Sequence, residues 1–257
     1  MGHERNASMV NLRRICAERG FRLRRRSFSL FYNFGRFMVA RMELNGLSET
    51  RLTKKVINYD NARAVLARVL DEGRGAVVAT AHLGNWEMGI RLLTLSGRPV
   101  HVVMMEDGDR SIEGVYEKLR VIDGVRVHWI NRNPFVSVEL LSALRNGGIV
   151  AVQADRNAGA MQARLPMFGA PVSLPLGPAS LARAAGVPII PCFVVMESGN
   201  SVKLRIDPPI MVTRTSDPAR DLIQATSQIA RCIEGAVAEY PDQWFNFYPI
   251  WEQERSS

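Results

Sequence analysis

Cysteine is scarce in this chain. The three that occur, Cys16, Cys192 and Cys232, are odd in number and far apart. None stands at a spacing that zinc ligands use, so neither a metal site nor a disulfide framework organises the fold, and a reducing compartment is implied. No run of about 18 or more apolar residues occurs, which speaks against a membrane-spanning helix. The first residues lack the pattern of a cleavable signal. There is no Walker-type phosphate loop, no Gly-x-Gly-x-x-Gly after a strand and no Gly-x-Ser-x-Gly elbow. Nucleotide-driven, dinucleotide-dependent and serine-hydrolase chemistry therefore lack their usual carriers. Internal repeats and low-complexity segments are also missing.

What is present is an ordinary core and an unusual charge. The 257 residues are 47% apolar and 23% charged, enough for one good core without demanding two. The net charge is +8 and the pI about 9.9. That balance implies an anionic partner: lipid headgroups, nucleic acid or an acidic carrier. The excess is concentrated at Arg13, Arg14, Arg19, Arg22 and Arg24 to Arg26, and continues at Arg51, Lys54 and Lys55. A basic, non-enzymatic lipid- or nucleic-acid-binding protein is the rival reading of this region, but these residues are not interleaved with a recognisable nucleic-acid module, so no nucleic acid is expected as partner.

Along the chain, residues 1–11 read as a polar tail. Over 28–44, apolar residues at 30, 31, 34, 37, 38 and 42 fit a helical stripe edged by arginine. Such a helix either covers the core or lies in a membrane interface with its aromatics in lipid. A basic amphipathic region over 1–58 and a single α/β domain over 59–257 are expected. Within the domain a helix over 61–71 precedes alternating strands (75–81, 99–105, 125–130, 148–153) and helices (85–96, 109–120, 134–145). A helix over 177–185, strands over 188–196 and 201–206, and a helix over 217–239 follow, with Gly199-Asn200 as a hairpin turn. This alternation predicts a mostly parallel central sheet flanked by helices.

The chemistry concentrates at two strand ends. His82-Leu83-Gly84-Asn85-Trp86-Glu87 follows the apolar run at 75–81. Imidazole titrates near neutrality and can take a hydroxyl proton. With His82 in the turn before a helix and Glu87 in its first turn, the carboxylate can face the ring and hold one tautomer. The alternative is a strand-capping histidine and a glutamate that supports a helix N-terminus. Asn85 is placed to cap that helix. The second strand end carries Asp155-Arg156, either an ion pair or, if the strands are neighbours, a guanidinium over the same crevice that could hold an oxyanion. Leu165 to Val172, shaped by its glycine and prolines around Phe168-Gly169, reads as a rigid turn, or as an acyl-site wall with oxyanion-donating N–H groups. The aromatic segment from Pro241 to Trp251 reads as core and lid packing. His101 and His128, inside apolar strands, read as structural.

Taken together, these blocks resemble the lysophospholipid acyltransferase superfamily, and within it the bacterial lipid A biosynthesis lauroyl/myristoyl acyltransferases. The resemblance rests on His82-Leu83-Gly84-Asn85-Trp86-Glu87, Asp155-Arg156, Phe168-Gly169, Val187-Pro188-Ile189-Ile190-Pro191 and the Pro241 to Trp251 segment, in that order. It implies an acyltransferase fold and transfer of a fatty acyl group from acyl carrier protein or coenzyme A thioester to a hydroxyl of a membrane glycolipid, such as a lipid A-like precursor. Other acceptors within its scope are a lysolipid, an ornithine lipid and a phosphatidylinositol mannoside. His82 would be the general base and Glu87 its orienting carboxylate. Asn85, Arg156, Phe168 and Gly169 would serve substrate or oxyanion binding, with Trp86, Phe168 and Trp244 lining an acyl groove. No metal or cofactor is implied. The expected location is peripheral, on the cytoplasmic face of the bacterial inner membrane.

Overall fold

The computed structural model describes residues 2–44, 46–70, 73–104, 124–130, 135–156 and 161–251. The helix expected over 109–120 lies outside them.

The centre is a six-stranded sheet. Its strands are β1 (Ala76–Thr80), β2 (Val100–Met104), β3 (Val125–Trp129), β4 (Ile149–Gln153), β7 (Ile189–Met196) and β8 (Val202–Ile206), in the order β3-β2-β4-β1-β7-β8. All pairings are parallel except β7 with β8, which run antiparallel through the Gly199-Asn200 connection. β1 lies between β4 and β7, which explains its unbroken apolar run: a central parallel strand is covered on both faces.

The connections fix where a ligand can enter. After β1 the chain moves through α5 (Trp86–Thr94) to β2, on the far side of β4. After β4 it moves the opposite way, through the hairpin β5 (Gln162–Met167) and β6 (Ala170–Pro175) and helix α7 (Gly177–Ala185), to β7. Neighbouring strands whose connections diverge leave a crevice at their carboxyl ends. Those ends belong to Thr80 and Gln153, which pair in register.

Helices cover both faces of the sheet. The remaining ones are α1 (Gly2–Cys16), α2 (Gly20–Leu44), α3 (Glu49–Lys54), α4 (Tyr59–Leu70), α6 (Val136–Arg145) and α8 (Pro218–Glu239). The α8 stripe of Ala225, Ile229, Ala230, Ile233 and Val237 packs with α7 against one side of the core. Leu66 of α4 and Ile90 and Leu93 of α5 lie on the other.

The amino-terminal region corrects two expectations. Residues 2–11 are helical, not a tail. The face of α1 that turns inward carries Ala7, Ser8, Asn11 and Leu12, too small and polar to register as an apolar stripe. Asn11 fixes it: Nδ2 donates to the carbonyls of Asn246 (3.1 Å) and Tyr248 (2.9 Å), and Oδ1 accepts from the Ile250 N–H (3.2 Å). In α2 the buried residues Leu23, Leu30, Phe37 and Leu44 recur every seven positions, the spacing that keeps one seam against a partner. Of the predicted stripe, Leu30 and Phe37 are buried, Phe34 and Met38 half-buried, and Phe31 and Met42 exposed. Among the described residues no helix is long and apolar enough to cross a membrane.

Candidate active site

His82 stands just past the end of β1. The turn that carries it is pinned by backbone. Gly84 adopts φ +61°, and a Cβ there would lie 2.1 Å from the Val194 carbonyl oxygen, so only glycine fits. The N–H of Gly84 donates to Gln243 O (2.9 Å) and that of Asn85 to Val194 O (2.7 Å). Asn85, fully buried, caps α5 as its position predicts, with Oδ1 accepting from Met88 N–H at 3.0 Å. The Phe245 N–H donates to the His82 carbonyl at 2.8 Å, so the terminal segment clamps the same turn.

The carboxylate that holds the His82 ring is that of Asp155. His82 Nδ1 lies 2.8 Å from Asp155 Oδ1, and the His82 backbone N–H donates to Oδ2 at 3.0 Å. Oδ2 also accepts from Trp244 Nε1 (2.8 Å) and Asn246 Nδ2 (3.2 Å). Asp155 is wholly buried. Burial alone would raise its pKa. The His82 charge and hydrogen bonds, with Arg156 beside it, outweigh that and hold the carboxyl below the ordinary carboxylate range. An ionised carboxylate on Nδ1 fixes the tautomer with the proton on that nitrogen, which leaves Nε2 as the ring's proton acceptor. Trp86 stands edge-on to the ring, centroids 5.5 Å apart.

Glu87 occupies a different place. Its carboxylate forms an ion pair with Arg41 Nε at 2.8 Å, and both side chains are buried. Glu87 sits in the first turn of α5, on the side that packs against α2, whereas His82 lies ahead of the left-handed turn at Gly84. The pair ties the amino-terminal region to the site helix.

Arg156 reaches the terminal segment. Nε donates to Asn246 Oδ1 (2.7 Å), Nη2 to the Phe245 carbonyl (2.8 Å), and the guanidinium lies 5.5 Å from the Tyr248 ring centroid. Phe168 and Gly169 form the two-residue turn of the β5–β6 hairpin, with φ +50° and +73°, which agrees with the rigid-turn reading of this segment and not with a site wall. The Phe168 N–H, expected as an oxyanion donor, donates to Glu234 Oε1 at 2.6 Å. The hairpin reaches the site through aromatic rings: Phe168 meets Trp251, Trp251 meets Trp244, and Trp244 holds Asp155.

Beneath the site lies an apolar cavity of about 320 Å³, between the sheet and helices α4 and α5. Val78, Thr80 and Ala151 line it from the sheet, Leu66, Trp86 and Leu93 from the helices. Trp86 is thus shared between the cavity and the His82 ring. Among the described residues no cluster of His, Cys, Asp or Glu could hold a metal ion.

Residues 5–253 match the family model described as bacterial lipid A biosynthesis acyltransferase. The chain belongs to that family. It is an acyltransferase. It is also similar to the phosphatidylinositol mannoside acyltransferase of Mycobacterium tuberculosis (strain H37Rv), at 24% identity over 220 residues, 85% of this chain and 68% of the relative. The protein of the same name from Mycolicibacterium smegmatis is 25% identical over 222 residues, 85% of this chain and 70% of the relative.

Proposed function

We propose that this acyltransferase moves a fatty acyl group from a coenzyme A or acyl-carrier-protein thioester to a hydroxyl of a membrane glycolipid. The observation that carries the proposal is the His82–Asp155 pair, joined to an apolar cavity through Trp86, which lines that cavity and stands edge-on to the His82 ring. His82 Nε2 takes the acceptor's hydroxyl proton as its oxygen bonds to the thioester carbonyl carbon. Asp155 stabilises the imidazolium that forms. When the carbonyl re-forms, the carbon–sulfur bond breaks and the thiol leaves with the proton from His82. The acyl chain lies in the cavity, with Trp86 between chain and base. No metal or cofactor enters this scheme.

The acceptor is a glycolipid for two reasons. The relatives carry the name phosphatidylinositol mannoside acyltransferase, and the family model the name lipid A. A mannosylated phosphoinositide is the first acceptor to test and a lipid A precursor the second. Attachment is peripheral. Phe21, Phe28, Tyr32 and Val39 share one exposed face of α2, beside exposed Arg22, Arg24 and Arg25. Aromatics that enter the interface and arginines that meet anionic headgroups suit a membrane surface. The cytoplasmic face of the inner membrane would bring acceptor and thioester together.

The test is transfer by the purified chain from palmitoyl-CoA and palmitoyl carrier protein to both glycolipids in mixed vesicles, with products weighed by mass spectrometry. His82→Ala should lose about 10²–10⁴ in rate with the fold intact. Parental rates in that variant would rule the mechanism out.

A further inference from the structure

Among the described residues, the side-chain amide of Gln153 is a donor without an acceptor. Its Nε2 is shielded from solvent and has no hydrogen-bond partner among the described residues. A buried N–H left unpaired weakens a fold, and such groups are rare enough that each needs a reason.

Its position supplies one. Gln153 ends β4 and pairs with Thr80, which ends β1. One pleat earlier, Ala151 pairs with Val78. Val78, Thr80 and Ala151 all line the cavity. Side chains two apart on a strand share a face, so Gln153 continues the Ala151 row on the cavity side, at the carboxyl edge of the sheet. Two residues beyond Thr80 comes His82, and two beyond Gln153 comes Asp155. A chain held in the cavity with its carbonyl turned toward His82 would bring that carbonyl to this edge of the sheet, on the face that Gln153 shares with Ala151.

We infer that Gln153 donates this N–H to the carbonyl oxygen of the acyl thioester and stabilises the oxyanion. The inference rests on the acyl-transfer reading above. When the deprotonated acceptor oxygen bonds to the carbonyl carbon, the carbonyl electron pair moves onto oxygen. It returns as the carbon–sulfur bond breaks and the thiol leaves with the proton from His82. Negative charge sits on that oxygen only between the two events, and a donor already fixed in place acts there without reorganisation. Of the donors expected for this task, the Phe168 N–H is engaged with Glu234, and Arg156 directs Nε and Nη2 to Asn246 and Phe245 of the terminal segment.

Gln153→Met keeps the length of the side chain and removes the donor. In the full chain, with the donors and acceptors named above, kcat should fall about 10²–10³-fold. KM for palmitoyl-CoA should change much less, and the melting temperature should hold or rise because an unpaired buried amide is gone. A residue with only a structural role would lower melting temperature and activity together, and that result overturns the inference. Gln153→Glu, with the same shape but an acceptor in place of the donor, should show the same kcat loss, and it decides the matter if Gln153→Met fails to fold. An active parent with both variants at parental kcat overturns the Gln153 role and leaves the acyl-transfer reading standing. A parent inactive with every donor and acceptor, or His82→Ala at parental rate, overturns that reading and the Gln153 role with it.

Discussion

The carboxylate of Asp155 grips His82 twice, through the ring Nδ1 at 2.8 Å and through the backbone N–H at 3.0 Å. One contact sets the tautomer and the other sets the position of the turn. Trp244 and Asn246 hold the same carboxylate from the terminal segment, so β1, β4 and the carboxyl-terminal segment all meet at the base.

Asp155→Asn tests this grip. The amide still fits but carries no charge to offset an imidazolium, and it admits the wrong tautomer. Transfer should fall about 10²–10⁴-fold with little change in KM, measured in steady state. The substitution should also alter acid stability. The folded carboxyl has a pKa below its unfolded value of about 3.9. Its contribution is therefore complete above that value and is lost as pH falls through the folded pKa. Thermal unfolding at descending pH should show a loss below about pH 4 that is shallower in Asp155→Asn.

Glu87 and Arg41 make a prediction of the opposite kind. A buried ion pair broken on one side leaves a bare charge, so Glu87→Ala should cost about 3–5 kcal/mol. Replacing both partners by apolar residues, Arg41→Met with Glu87→Leu, should recover most of that stability. If Glu87 acts by tying α5 to α2, the double variant regains transfer as it regains its fold. An inactive but fully stable double variant would return to Glu87 a direct part in orienting His82.

The contrast between these two carboxylates shows what could be read from residues alone. The strands of the central sheet, the cap at Asn85 and the strand-end position of His82 were legible because each is a local pattern, of apolar runs and turn residues. The ring's partner was not, because it lies 73 residues away. A signal existed: Asp155 ends a second apolar strand as His82 ends the first, and parallel neighbours bring such ends together. Proximity in sequence favoured Glu87 instead. Helix α1 stayed hidden for another reason. Its buried face works through Asn11 hydrogen bonds and small residues, and hydropathy does not register either. The rigid turn at Phe168-Gly169 was legible from its glycine and flanking prolines, whereas the strands β5 and β6 that it joins were not.

His101 gives a separate pH dependence. Its Nδ1 lies 2.8 Å from His128 Nε2, the rings stack, and His128 Nδ1 meets Glu139 of α6 at 3.2 Å. Burial, then His128 and Arg126, lower the His101 pKa, and Glu139 opposes them. The folded protein thus binds the proton less readily than the unfolded chain, whose value is about 6.5. Stability should be full above that pH and fall as pH drops through it toward the folded value. His101→Gln keeps a hydrogen-bonding side chain and cannot titrate. Melting temperatures between pH 5 and 8 should flatten in that variant relative to the parent.

The exposed face of α2 can be separated from the chemistry beneath it. Phe21 and Phe28 are 80% and 72% exposed, and neither belongs to the packed seam of Leu23, Leu30 and Phe37. Phe21→Ser with Phe28→Ser should therefore leave the melting temperature within a degree or two and weaken sedimentation with anionic vesicles. Arg22→Gln with Arg25→Gln should weaken it by about 1 kcal/mol per charge at low salt, and the deficit should shrink as salt screens the parent's own attraction. Transfer to a glycolipid embedded in vesicles should fall with binding. Transfer to a short-chain acceptor dispersed in detergent should be unchanged, because the His82–Asp155 pair and the cavity are intact. Loss with both acceptors would mean that α2 shapes the site itself and is not only its contact with the membrane.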